Sequence, residues 1–411
     1  MNNNYHQVRL GDVGQIITGK TPPTDNPSNY NGEIQFLTPS DDLSVKHIYK
    51  TKKTISEKGL LVVKNCLLPP NSISVSCIGS DLGKVVITTK PTITNQQINS
   101  IIPSQEYDVD YIYYSLLQIG KLLNFISKTS TAVPIVNKSD FSKYTIAAPP
   151  LPIQRTIAAT LSCLDDKIEL NNRINANLEA GAGAIFKSWF VDFEPFQGGE
   201  FVDSELGKIP KGWRVGIISD FAKNIVCGKT PSTKNEDYYG DTIPFITIPD
   251  MHNNVYVINT ERYLSKSGEK SQSNKTIPKN SICVSCIATT GLVSLTSENS
   301  QTNQQINTII CADSKSYIYA YLYIKGLTSQ ISALASSGSA TPNLNKEQFS
   351  KIKMLIPSMN IIHQFFDIIE PMFLTIKKNQ EQSRALASIR DILLPRLMSG
   401  EIEVPKEENQ K

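Results

Sequence analysis

The residues Gly14 to Thr21, GQIITGKT, have the spacing G-x-x-x-x-G-K-[ST], a pattern that can wrap backbone N–H groups and a lysine around nucleotide phosphates. That chemistry needs a helix directly after the lysine, so that the positive end of its dipole meets the phosphates. Here PPTDNP follows, a turn-forming run, and a second GKT at Gly228 to Thr230 has Lys223 where the leading glycine would stand. Nucleotide binding is therefore not expected, nor is any cofactor. Cys283 and Cys286 form a CxxC inside the alternating run NSICVSCI, yet no second cysteine pair lies nearby to complete a zinc site. They read as buried thiols in a reducing compartment. The four histidines, His6, His47, His252 and His363, are scattered, and Pro249-Asp250 lacks the following Glu-x-Lys of a nuclease. No Asn-Pro-Pro-aromatic or Asp-Pro-Pro-aromatic tetrapeptide of a methyltransferase occurs, and GAGA at Gly181 lies inside a heptad pattern. The sequence offers neither a catalytic group nor a metal site.

What it does offer is polar motifs written twice. GKTPPT (Gly19 to Thr24) returns as GKTPST (Gly228 to Thr233), and NSISVSCI from Asn71 returns as NSICVSCI from Asn280, both at an offset of 209. TNQQINSII from Thr94 returns as TNQQINTII from Thr302, now offset by 208. Asn137-Lys138 with Phe141-Ser142-Lys143 returns as Asn345-Lys346 with Phe349-Ser350-Lys351. The chain is a duplication.

Each copy must hold these motifs on a similar frame. Runs such as EIQFL, SISVSCI and VVITT, then TIPFITI and ICVSCI, have strand composition, separated by turn clusters such as TPPTDNPSNYNGE. A helix is expected over Val109 to Ser127 and over Ser316 to Ser336, followed by a polar loop and a last strand. The period then changes to that of a heptad seam: Ile157, Leu161, Leu164, Ile168, Asn171, Asn175, Leu178, Ala182 and Ile185. Adding 208 gives Phe365, Ile369, Met372, Ile376, Asn379, Ser383, Leu386, Arg390 and Leu393, nearly the same seam. The two amphipathic helices are the natural partners of each other, paired antiparallel about a pseudo-two-fold axis. Asn171 and Asn379 each stand fifth of nine in their seam, so a mid-length contact that fixes the register is expected between them.

The resulting fold is α+β: two similar globular domains separated by two long antiparallel coiled-coil helices, with a pseudo-two-fold internal repeat. The expected spans are 1–150 and 201–357 for the globular blocks, with helical regions at 151–200 and 358–411. The 29 residues from Ile157 to Ile185 span about 43 Å, close to the roughly 34–36 Å between DNA half-sites one helical turn apart. Lys+Arg outnumber Asp+Glu by 14 to 11 in residues 1–150 and by 16 to 12 in 202–357, while both helical regions are acidic. Two mildly basic faces suit contact with phosphates. No apolar run approaches the roughly 20 residues of a membrane span, and MNNNYHQVRL lacks the apolar centre of a secretion signal. The expected location is cytoplasmic, with no membrane partner.

Two strings carry a resemblance. IFKSWFVDFEPF (Ile185 to Phe196), leading into Ile209, Pro210, Gly212 and Trp213, and RDILLPRLMSGEIEV (Arg390 to Val404) closely resemble the central and C-terminal regions of type I restriction–modification specificity subunits. The arrangement of recognition domain, helix, recognition domain, helix is also similar to that family over the whole chain. The resemblance implies two target-recognition domains that read the halves of a split double-stranded DNA site. It further implies helices that set the spacer, binding of two methyltransferase subunits, added restriction subunits in the full complex, and no catalytic residue in the chain itself. One departure is Gly181 and Gly183, where the family has good helix formers; each costs about 1 kcal/mol in a helix, so a bend or a close helix approach is expected there.

Recognition of DNA uses Lys or Arg on phosphates and guanine, and Asn, Gln, Ser or Thr on base edges. Three loops occur in both copies and carry such residues. The first holds Lys20, Thr21 and Thr24, matched by Lys229, Thr230 and Thr233. The second holds Ser80 and Lys84 in one copy, Thr289 and Thr290 in the other. The third holds Lys128, Thr131 and Lys138, then Ser339, Thr341 and Lys346. Asn95, Gln96 and Gln97, with Asn303, Gln304 and Gln305, are read instead as groups that satisfy buried backbone. Features common to both copies suit a scaffold, and specificity belongs where the copies differ. The alternative from another class is an assembly or adaptor protein on a coiled coil, without a DNA role.

Overall fold

The structure, a computed structural model, describes residues 5–79, 82–129, 135–336 and 342–404. The chain forms two compact units, Met1–Glu169 with Arg384–Lys411, and Leu170–Ser383. Each unit takes one globular block, one half of a central helix (Leu151–Phe190) and one half of a C-terminal helix (Met359–Met398).

In the first unit a five-stranded sheet has the order Gly14–Thr18, Ile98–Pro103, Ile73–Ser76, Val85–Thr88, His47–Ile48, with only the last pair parallel. A smaller sheet has the order Lys53–Ile55, Tyr30–Leu37, Thr92–Thr94. Alternation decides the faces. Ile73 and Val75 join Val85, Ile87 and Ile101 in a core with Tyr111 and Tyr114, whereas Ser74 points the other way, its Oγ 2.8 Å from that of Ser100. The core is covered by the helix Val109–Thr129, whose first turn is capped by Asp108, its Oδ1 accepting from the Tyr111 amide at 3.0 Å. His6–Arg9 pairs antiparallel with Thr145–Ala148, so the chain enters and leaves the block on neighbouring strands.

The second unit repeats the plan. Its five strands run Ala222–Cys227, Ile306–Cys311, Ile282–Ser285, Val293–Thr296, Tyr256–Val257, and Arg214–Ile217 pairs with Lys353–Ile356 at the base. The smaller sheet has four strands, Tyr239–Gly240, Arg262–Leu264, Ile243–Ile246 and Gln301–Thr302. One helix was expected over Ser316 to Ser336; two are found, Tyr317–Gly326 and Thr328–Ser336. Gly326 weakens the helix, and the Thr328 hydroxyl takes the Lys325 carbonyl at 2.9 Å.

Within each unit the two helix halves run antiparallel. In the first, Ile157 and Leu161 are buried in one cluster with Leu394 and Leu397, and Arg390 Nη1 donates to Asp165 Oδ1 at 2.6 Å. In the second, Phe186 meets Phe365, and a Cβ on Gly181 would lie 3.2 Å from Met372 Cε. The central helix is unbroken through Gly181 and Gly183; close helix approach accounts for Gly181, while Gly183 faces open space. The polar seam differs in detail from a direct amide pair. Asn171 Nδ2 donates to Gln382 Oε1 at 2.9 Å and Ser383 Oγ at 3.2 Å, and meets Asn379 only at its backbone oxygen, 3.4 Å away. The Asn379 amide donates instead to Asn175 Oδ1 at 2.9 Å. A side chain in such a seam sits between residues of the facing helix, which staggers the two asparagines.

Candidate nucleic-acid interface

In each unit the repeated loops converge on the Asn-Gln-Gln segment. The first-unit sheet ends supply Gly19, whose N–H bonds Ile98 O at 3.1 Å, and Thr21, whose hydroxyl donates to Gln96 Oε1 at 2.7 Å. The Cys77 N–H bonds Gln97 O, and Val136 N–H bonds Cys77 O, so the second and third loops cross there, at a bridge between Ile78 and Ile135. Asn99 Nδ2 donates to Val136 O at 2.9 Å, and Asn95 Nδ2 to Gln97 Oε1 at 2.8 Å. The second unit repeats these bonds with Thr230 and Gln304 (2.8 Å), Cys286 and Gln305, Leu344 and Cys286, and Asn307 and Leu344. Packing explains the glycines: a Cβ on Gly19 would lie 2.2 Å from Asn95 O, and one on Gly228 2.2 Å from Asn303 O. No helix follows either GKT; the next turn is Pro27–Asn29 in one copy and Glu236–Tyr238 in the other.

The expected contact residues divide into two kinds. Lys20, Thr24, Lys84, Lys128 and Lys138 are exposed in the first unit, as are Lys229, Thr233, Thr289 and Lys346 in the second. Lys20 and Lys229 project from anchored loops: Tyr30 OH donates to Pro22 O at 2.7 Å, Tyr239 OH to Pro231 O at 3.0 Å, and Gln272 Nε2 to Lys229 O at 2.7 Å. Lys138 and Lys346 open short helices capped by Asn137 and Asn345. Thr21, Thr230 and Thr290 are half-buried and already bonded, Thr290 Oγ1 to Ser332 Oγ at 3.2 Å. Ser80, Thr131, Ser339 and Thr341 lie outside the described residues. Ala288 adopts φ 64° where the other copy has Gly79 at φ 100°, so both units hold the second loop in a left-handed turn.

Cys283 and Cys286 belong to different clusters on opposite faces of their strand, and burial pushes their thiols up to about 12 and about 11. Among the described residues no group of three His, Cys, Asp or Glu is placed to hold a metal ion. No helix among them is long and apolar enough to cross a membrane.

The sequence matches the family described as "Type I restriction modification DNA specificity domain" twice, over residues 2–180 and 210–387. The chain belongs to that family. It is 33% identical to the HindI specificity subunit of Haemophilus influenzae, covering 97% of this chain and 99% of that protein. It is 29% identical to the MjaIX specificity subunit of Methanocaldococcus jannaschii, covering 96% and 93%. The crystal structure of a type I S subunit from M. genitalium superposes with a TM-score of 0.55 at 17% identity over 97% of both chains, a likeness of fold.

Two features of the interface were missed in the sequence. The Asn-Gln-Gln segments do satisfy backbone, Asn95 and Asn303 Oδ1 each accepting an N–H at 3.1 Å, but they are also the hub on which the loops meet. A Thr-x-x-Asp motif, Thr38 with Asp41 and Thr247 with Asp250, recurs at the offset of 209 and bounds a further loop. That shared offset is the signal by which it can be found.

Proposed function

We propose that this chain is the DNA sequence-specificity subunit of a type I restriction–modification complex. Each unit reads one half of a bipartite double-stranded target, and the two long helices set the spacer. The chain binds two methyltransferase subunits, with restriction subunits in the full complex, and leaves the chemistry to them; it acts in the cytoplasm. The observation that carries this reading is the duplicated loop cluster, an anchored Asn-Gln-Gln hub with an exposed lysine, Lys20 or Lys229, beside it in each unit. Loops fixed by a sheet and tipped with Lys, Thr and Asn have the chemistry of phosphate and base-edge contact. The test is selection of random-sequence duplexes by the chain assembled with methyltransferase subunits. Recovery of two short sequence blocks separated by a gap of fixed length is expected. Recovery of duplexes without sequence preference would overturn the reading and leave the adaptor role.

A further inference from the structure

The Thr-x-x-Asp motifs act as identical clamps. In the first unit Asp41 Oδ2 accepts from the Thr38 amide at 2.8 Å and from its hydroxyl at 3.1 Å, while Oδ1 accepts from the Lys52 amide at 2.7 Å. In the second, Asp250 Oδ2 accepts from the Thr247 amide at 2.8 Å and hydroxyl at 2.7 Å, and Oδ1 from the Glu261 amide at 2.8 Å. One carboxylate thus ties both ends of a loop, residues 42–51 in one copy and 251–260 in the other. Charge-assisted bonds to three donors hold such a loop at a fixed span.

The place of the clamp follows from the strand directions. Tyr30–Leu37 runs parallel to Thr92–Thr94 and antiparallel to Lys53–Ile55, so the ends at Leu37, Thr94 and Lys53 lie on one edge of the small sheet. Asn95 N–H bonds Leu37 O at 3.1 Å, and Asn303 N–H bonds Ile246 O at 3.1 Å. The clamped loop therefore leaves from the same hub as the GKTP loop. Its scaffold residues agree between copies, Thr51 Oγ1 donating to Lys53 O and Thr260 Oγ1 to Arg262 O. Its contents do not: DLSVKHIYKT stands against MHNNVYVINT. Leu43 and Ile48 are buried, and so are Val255 and Val257, which leaves Asp42, Ser44, Tyr49 and Lys50 exposed in one copy and His252, Asn253 and Asn259 in the other. Two residues before the clamp's last amide stand Lys50 and Asn259, both exposed and at one equivalent position. Lysine suits guanine and asparagine suits adenine in the major groove.

We propose that this clamped loop is a further base-reading loop in each unit, with Lys50 and Asn259 as specificity-determining residues and Asp41 and Asp250 as positioning residues. The proposal rests on the reading of the chain as a DNA specificity subunit. A common clamp with divergent contents is what two readers of different half-sites need: equal placement, unequal chemistry.

The experiment is selection from a random duplex library by the chain assembled with methyltransferase subunits, comparing the original chain with Lys50→Ala, Asn259→Ala, Asp41→Asn and Asp250→Asn. Lys50→Ala is expected to lower discrimination about tenfold at one or two base pairs of one half-site and leave the other half unchanged; Asn259→Ala does the reverse. Asp41→Asn and Asp250→Asn relax the same halves as their neighbours, since an amide keeps the carboxylate's shape but only one of its two acceptor oxygens and so releases one end of the loop. If the original complex selects no sequence, the DNA-specificity reading itself fails. If it selects a bipartite site and all four variants keep its preferences, the proposal is overturned. Weakening of all sequences alike, with preferences intact, also overturns it by assigning the loop to phosphates.

Discussion

At one equivalent buried position of the long helices, beside the seam, the two units make opposite choices. In the first, Asp165 is buried and takes 2.6 Å bonds from Arg390 Nη1 and from Tyr114 OH. An offset of 208 turns Asp165 into Phe373 and Tyr114 into Leu322, and relates Arg390 to Ala182. All three residues of the second unit are buried in one apolar cluster, where Phe373 packs on Tyr321 with ring centroids 5.6 Å apart. Backbone and register are kept while the chemistry is exchanged. A buried ion pair gains little over a well-packed apolar set, but breaking it leaves an uncompensated charge. The duplication keeps the frame of the large sheet and the long helices and varies the side-chain content, which is the freedom that two readers on one scaffold require.

The largest expected effect breaks that comparison at its polar end. Arg390→Ala strands Asp165 and costs the first unit about 3–5 kcal/mol, whereas Asp165→Phe combined with Tyr114→Leu and Arg390→Ala, copying the second unit, recovers most of the loss. Hydrogen exchange resolved by unit measures both, and a silent Arg390→Ala would show that the two seams are energetically alike. Phe373→Ala gives the apolar counterpart, a loss of about 3–5 kcal/mol confined to the second unit. Next come the exposed lysines: Lys20→Ala and Lys229→Ala are each expected to weaken DNA binding and reduce the log–log salt slope by about 0.9. Unequal slopes would show that only one of the loops meets a phosphate. The smallest effect is chemical: an alkylating reagent near pH 8 labels exposed Cys163 of the first unit and spares Cys283 and Cys286, whose thiols burial holds at about 12 and about 11. Mass spectrometry reads the sites, and early labelling of Cys283 would contradict its place in the core.

Much of this architecture was legible because period and repetition survive in sequence. The heptad spacing from Ile157 to Ile185 marks the helix, and the alternation in SISVSCI marks a strand whose apolar residues share one face. What stayed hidden depends on bonds between distant residues. The seam spacing predicts that Asn171 meets Asn379, and it does so at the Asn379 carbonyl, but a stagger that no periodicity encodes also gives its amide to Gln382 and Ser383. Thr21 and Thr230 looked like free hydroxyls until the fold placed Gln96 and Gln304 against them. The family resemblance named the role, yet the hub that gathers the loops emerged only from the backbone bonds at Cys77 and Cys286.

The central claim is that each unit reads its own half of the target. The direct test replaces the block between the paired strands Arg214–Ile217 and Lys353–Ile356 with that of a relative of different specificity, then maps methylated bases across a genome expressing the assembled complex. The account expects one half of the methylated motif to change while the other half and the gap between them stay the same. A change in both halves, or in the gap alone, would contradict it.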